Sequence, residues 1–161
     1  MEKNPKNIVD THRRIHDYLR ISLTERCNLR CFYCMPEEGV QLRDKSEFMT
    51  AEETIAIAKT FVDLGVKKIR LTGGEPLIKK NAAIIIKELG KLPVELSITT
   101  NAVTVDRFID VFKQAGIKSV NVSLDSLKAD TFNAISRRSY FKEIMQNIQL
   151  LLDNNFHVKI N

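Results

Sequence analysis

The chain has 161 residues, 43% apolar and 28% charged, which is enough for one globular domain whose core needs no disulfide staples. Its 25 basic and 20 acidic residues leave a net charge of +5; this suits an anionic ligand, but no basic tail or aromatic-interleaved basic run argues for nucleic acid. Apolar runs such as 82–86 fall far short of the roughly 18 to 20 residues that span a bilayer, and no apolar segment follows the first six residues to make a signal peptide, so the expectation is a cytoplasmic protein without a membrane partner.

The elements alternate along the chain. Residues 19–23, Leu-Arg-Ile-Ser-Leu, alternate apolar and polar and read as a first strand. A loop with all three cysteines follows, then a charged, turn-rich excursion over 35–49 with Pro36 and Gly39. Thr50 and Glu53 form a capping box for a helix whose apolar face is Ile55, Ala58, Phe61 and Val62, ended by Gly65. A second strand over 67–71 leads into Thr72-Gly-Gly-Glu-Pro76, and Asn81 is placed to cap a helix ending at Leu89. A third strand spans 94–100, and Val105, Phe108, Ile109 and Phe112 line the next helix. A fourth strand spans 117–123. A short helix from about Thr131 and a longer one over 141–152 follow, the longer carrying Ile144, Met145, Ile148, Leu151 and Leu152 in helical period. A fifth strand begins at Phe156, and the sequence ends inside it.

Strands alternating with helices imply an α/β fold with parallel strands and right-handed crossovers. The two faces of a parallel sheet must both be covered, so either the sheet curls toward a barrel or helices lie on both sides. The end within a strand suggests a partial protein. Residues 1–18 read as an N-terminal arm.

Cys27, Cys31 and Cys34 are spaced by three and two intervening residues directly after a strand. Clustered thiols of this kind read as soft-metal ligands for an iron–sulfur cluster, copper(I), or zinc with His12 or His16 as a fourth ligand. Three cysteines hold three irons of a 4Fe–4S cluster and leave the fourth for a group that is not protein. At the end of the second strand, Gly73-Gly74-Glu75-Pro76 combines residues that let backbone approach a ligand with a carboxylate able to pair an ammonium group; Gly-Gly and Pro also suffice for a plain turn.

Together the two motifs resemble the radical S-adenosylmethionine (SAM) superfamily. The stretches 18–36, 65–77, 99–101 and 121–125 narrow the resemblance to the GTP 3′,8-cyclase family, over about Asp10 to Asn161. The resemblance implies a partial (β/α) barrel, a 4Fe–4S cluster on Cys27, Cys31 and Cys34, and SAM on its fourth iron. It implies SAM contacts at Tyr33, Gly73, Gly74, Glu75, Pro76 and Ser123. GTP is the implied substrate, met by Arg20, Arg70, Thr99 and Lys159, with Lys68 a further candidate. Arg and Lys suit a triphosphate; no side chain is assigned as a general acid or base. An electron donor and a second copy of the chain are the further implied partners. Asp125 reads as orienting a loop at its strand end.

The family pattern has Gly after Thr-Thr-Asn where this chain has Ala102; a positive φ there would strain Ala. Asn154-Asn155 stands in place of a Gly-containing turn, and Asn tolerates the left-handed region. The family's second three-cysteine set, its remaining strands and its further phosphate-binding arginines have no counterpart in these residues. Two other readings stay open: a radical SAM enzyme with another substrate, and a non-catalytic iron–sulfur or zinc-binding remnant.

Overall fold

The computed structural model describes residues 7–36, 41 and 43–161, so the expected turn at Gly39 lies outside the described residues. The strands are β1 (Tyr18–Ser22), β2 (Lys68–Thr72), β3 (Glu95–Thr100), β4 (Ser119–Val122) and β5 (His157–Ile160). The helices are α1 (Ala51–Asp63), α2 (Ala82–Leu89), α3 (Ile109–Gln114), α4 (Ala129–Ser136) and α5 (Phe141–Asp153).

Local chemistry explains most boundaries. Thr50 caps α1: its hydroxyl accepts from Glu53 N at 3.1 Å, and Glu53 Oε2 accepts from Thr50 N at 2.8 Å. Such a cap is worth about 1 kcal/mol. Asn81 occupies the corresponding position before α2 but makes no side-chain cap bond. A 3₁₀ turn over Pro76–Ile78 already coils the chain there, and Ala82 N is satisfied by Lys79 O at 2.9 Å. A second 3₁₀ turn, Val105–Phe108, precedes α3, so the helix expected from Val105 is split.

In α5 the buried stripe is narrower than the sequence period suggests. Ile144 and Leu151 are buried, while Met145 and Leu152 are 37% and 48% exposed. The polar Asn147 is buried in that stripe because its Nδ2 donates to Ala102 O at 2.8 Å and Val103 O at 3.1 Å. Two carbonyls beyond β3 are thereby satisfied without water.

All five strands are parallel and stand in sequence order, β1-β2-β3-β4-β5. Right-handed crossovers between successive neighbours carry every helix to one side of the sheet. The residues buried toward the helices include Ile69 and Leu71 of β2, Ile98 of β3, and Val120 and Val122 of β4, all at 0% exposure. They meet Ile85, Ile86, Leu89, Phe112, Ile144 and Leu151 from the helices. Each full burial contributes about 1.5–3 kcal/mol.

The other face is polar and carries no helix. Register places Arg20, Arg70, Ser97, Ser119 and His157 in one row across it. Thr99, Asn121 and Lys159 form the next row toward the C-terminal ends, where β1 and β2 contribute the Ser22–Thr72 pair. An open, one-sided parallel sheet of this order is a partial (β/α) barrel whose interior face is polar, with Arg20, His157 and Lys159 exposed and Ser97 and Asn121 buried between them. Of the two arrangements left open by the sequence, the sequential strand order is that of a partial barrel.

Candidate functional site

The site assembles at the C-terminal ends of the strands. Pairing between β1 and β2 continues past both strands. Leu23 N donates to Thr72 O at 2.9 Å, Gly74 N to Thr24 O at 2.6 Å, and Glu75 N to Arg26 O at 2.7 Å. The glycine segment is thus sewn to the backbone that launches the cysteine loop. This close approach demands glycine. Gly73 sits at φ +152°, and a Cβ there would lie 2.5 Å from Thr24 O. A Cβ on Gly74 would lie 2.5 Å from Glu25 O and overlap the Arg26 carbonyl.

Glu75 follows the two glycines. Its side chain is 1% exposed and turned into the protein. One carboxylate oxygen accepts from Leu77 N at 3.1 Å and Thr100 Oγ1 at 2.8 Å; the other accepts from Asn101 N at 2.7 Å. Burial pushes its carboxyl up, against three hydrogen bonds that favour the ionised form. A carboxylate so bonded ties the ends of β2 and β3 together. Pro76 is likewise buried, opening the 3₁₀ turn.

Asn101, to which the sequence assigned no role, is the next link. It is 6% exposed, and its Nδ2 donates to Asn28 Oδ1 at 2.7 Å and to Cys27 Sγ at 3.7 Å. The cue in the sequence was its place, an amide side chain at the first position after β3.

Cys27 and Cys31 are half-buried and Cys34 is exposed. Burial pushes the Cys27 and Cys31 thiols up; among lesser causes, Glu75 acts on Cys27 and Asp125 on Cys31 in the same sense. They need a metal to hold them as thiolates. The loop is pinned on its far side, where Arg30 N donates to Ser136 O at 2.9 Å and Phe32 N to Ile135 O at 3.1 Å, both at the end of α4. The Tyr33 hydroxyl donates to both carboxylate oxygens of Asp125 at 3.0 Å; burial and then that bond push the phenol up. Asp125 thus adds a side-chain tie between the cysteine loop and the residues after β4. Ser123, exposed beside it, anchors through its backbone N to Thr100 O at 2.9 Å.

Among the described residues no three His, Cys, Asp or Glu side chains converge on a point that would hold a single metal ion. His16 Nε2 lies 3.4 Å from Asp10 in the N-terminal arm. A cubane cluster asks for something else, one thiolate per iron corner. Three thiols on one pinned loop fit that demand.

The candidate substrate residues divide. Arg20 and Arg70 are register partners on the open face, with Thr99 and Lys159 one row nearer the cysteine loop. Arg70 Nε donates to Ser97 Oγ at 3.3 Å, and its guanidinium stacks 5.5 Å from the Tyr18 ring centre. Arg20 and Lys159 are exposed. Lys68 lies on the same face but two residues below Arg70, at the N-terminal end of β2, and its Nζ is 3.0 Å from Glu95 Oε2. The structure does not bring Lys68 to the cysteine end.

A family model described as the radical SAM superfamily matches residues 21–161. The chain belongs to this superfamily. Members use a 4Fe–4S cluster and SAM, the cofactors that fit the donor set here. The chain is 46% identical over 157 residues to molybdenum cofactor biosynthesis protein 1 of Dictyostelium discoideum, covering 96% of this chain and 25% of that protein. It is 43% identical over 157 residues to GTP 3′,8-cyclase of Petrotoga mobilis, covering 96% of this chain and 49% of that one. The chain therefore spans between a quarter and a half of these relatives. The crystal structure of Streptococcus suis SuiB bound to S-adenosylmethionine superposes with TM-score 0.74 at 19% identity, over 90% of this chain and 32% of SuiB. That likeness shows the fold alone.

Proposed function

We propose that this chain is the N-terminal part of an enzyme that converts GTP to (8S)-3′,8-cyclo-7,8-dihydroguanosine 5′-triphosphate in molybdenum cofactor synthesis. The observation that carries the reading is the open sheet face, where Arg20 and Arg70 stand side by side with Thr99 and Lys159 above them, beneath the cysteine loop. Relatives bearing the cyclase name share over 40% of their aligned residues with this chain.

When bound, the cluster and SAM would supply a 5′-deoxyadenosyl radical able to take the hydrogen atom from ribose C3′, the activation needed before C3′ can join guanine C8. The protein's part is to hold and aim. Cys27, Cys31 and Cys34 hold three irons. Backbone at Gly73 and Gly74, with Tyr33 and Ser123, receives SAM; Glu75 and Pro76 support that backbone from below. Arg20 and Arg70 take the triphosphate by forked hydrogen bonds, Lys159 adds a point charge, and the Thr99 hydroxyl fixes a sugar or phosphate oxygen. An external donor would supply two electrons in turn, one to reduce the cluster and one, with a proton, to quench the purine radical left after ring closure. Among the described residues no helix is long and apolar enough to cross a membrane.

The test is oxygen-free loading with iron and sulfide. The expected result is about four irons per chain, an EPR signal from the reduced cluster that changes on adding SAM, and GTP binding that weakens when Arg20 or Arg70 is replaced. A SAM response without GTP binding would leave a radical SAM enzyme of another substrate. Absence of any SAM response would overturn the reading.

A further inference from the structure

Of the three cysteines, only Cys27 accepts hydrogen bonds from nitrogen among the described residues. Leu29 N donates to its sulfur at 3.4 Å and Asn101 Nδ2 at 3.7 Å. The first bond comes from the loop itself. The second crosses from the end of β3, a residue distant in sequence, and it is over-determined. Asn101 Oδ1 accepts from Val103 N at 3.1 Å, which fixes which end of the amide carries the N–H groups. One of those N–H groups is taken by Asn28 Oδ1 at 2.7 Å, and the same nitrogen faces Cys27. The backbone N of Asn101 is held by Glu75 Oε2 at 2.7 Å. With 6% exposure, the amide has no solvent alternative.

We infer that Asn101 is a positioning residue that aims an N–H at the Cys27 sulfur and raises the reduction potential of the cluster held there. The inference rests on the cluster reading above. The physical cause is simple. The added electron of the reduced cluster makes the ligating sulfurs more electron-rich, so a donor aimed at one of them stabilises the reduced form more than the oxidised one. The carboxylate of Glu75 then has a function besides tying strands: it sets where that donor points.

The experiment is an EPR-monitored redox titration of the cluster-loaded protein without SAM, comparing it with Asn101→Asp and Asn101→Ala. Asp keeps the acceptor for Val103 N and removes the donor. The expected result is unchanged iron content with a reduction equilibrium about tenfold less favourable in Asn101→Asp, or about 59 mV lower for one electron. Asn101→Ala should shift the same way by a smaller factor. Full iron with an unchanged midpoint in Asn101→Ala overturns this inference alone, because the carboxylate of Asn101→Asp lowers the midpoint by its charge even where the donor is without effect. Failure of the unsubstituted protein to take up its irons sinks the cluster reading and this inference with it. Pulsed EPR on the unsubstituted protein with nitrogen-15 asparagine gives a second readout that needs no variant. A side-chain nitrogen coupled to the reduced cluster is expected, and its absence overturns the inference even where the variants do not load.

Discussion

The C-terminal rim of the sheet and its open face carry polar residues in opposite ways. At the rim, polar groups are spent on one another. Glu75 accepts three hydrogen bonds, Asn101 is bonded at every polar side-chain atom, and Tyr33 is tied to Asp125. On the face, Arg20 and Lys159 are exposed, and Arg70 has one hydroxyl and one ring beside it. The rim is a fixed frame and the face is a set of charges with few protein partners. Substitution at the rim should therefore cost folding, and substitution on the face should cost binding.

The largest effect belongs to the rim. Glu75→Ala leaves Leu77 N, Asn101 N and the Thr100 hydroxyl unpaired in a dry site. Each such orphan costs about 1–3 kcal/mol and the three are not additive, so the expected loss is about 3–5 kcal/mol in urea unfolding. A loss below about 1 kcal/mol would erase the distinction between the two regions.

The face gives the converse. Arg20→Ala and Arg70→Ala should each leave the unfolding midpoint nearly unchanged and weaken GTP binding by about tenfold to a hundredfold, the worth of a charged hydrogen bond of 1.5–3 kcal/mol. Lys68→Ala is the internal control. Its ammonium is already paired with Glu95 and lies at the wrong end of β2, so GTP affinity should not move. Calorimetric titration reads all three. Weakened binding in Lys68→Ala would place the nucleotide lower on the face, toward the N-terminal end of β2.

Tyr33→Phe sharpens the comparison because Tyr33 belongs to the rim but is 63% exposed. Its bond to Asp125 competes with water, so removing the hydroxyl should cost about 0.5–1.5 kcal/mol at most. Thermal unfolding of the variant measures it. A larger loss would mean that the Tyr33–Asp125 contact, and not the backbone bonds to Ser136 and Ile135, holds the cysteine loop in place.

Much of this frame was legible in the sequence, and the exceptions have a common cause. Alternation placed the strands to within a residue or two, and the Thr50–Glu53 cap was readable because both partners are local. The single-face helices were not decided by pattern, since coverage of a sheet depends on strand order. A carboxylate beside glycines suggests a ligand, whereas the partners of Glu75 in the fold, Thr100 and Asn101, come from the end of the next strand and leave no local mark. Asn101 was overlooked for the same reason: its bonds to Asn28 and Cys27 span more than seventy residues. Asn81 looked like a cap and is none, because the 3₁₀ turn before it is set by tertiary packing of Pro76 and Leu77. Asn155 at φ 62° did adopt the left-handed geometry expected of it.

Ala102 is where the frame itself carries strain, and it yields the smallest effect. Its φ is 61°, its side chain is fully buried, and its carbonyl is held by Asn147 while its amide N donates to Thr100 Oγ1 at 3.0 Å. The left-handed conformation costs an L-residue about 1–2 kcal/mol. Replacing Ala102 by Gly removes that cost, loses about 0.8 kcal/mol of methyl burial, and adds about 0.4–1 kcal/mol of unfolded-state freedom. The sum is close to zero. Ala58, equally buried within α1, supplies the contrast, because there Gly loses both the methyl and about 1 kcal/mol of helix propensity. Ala102→Gly should thus leave stability within about 1 kcal/mol of the parent, whereas Ala58→Gly should cost roughly 2 kcal/mol. Equal losses in the two variants would show that the turn after β3 is relaxed, and that the rim keeps Asn101 in place without stored strain.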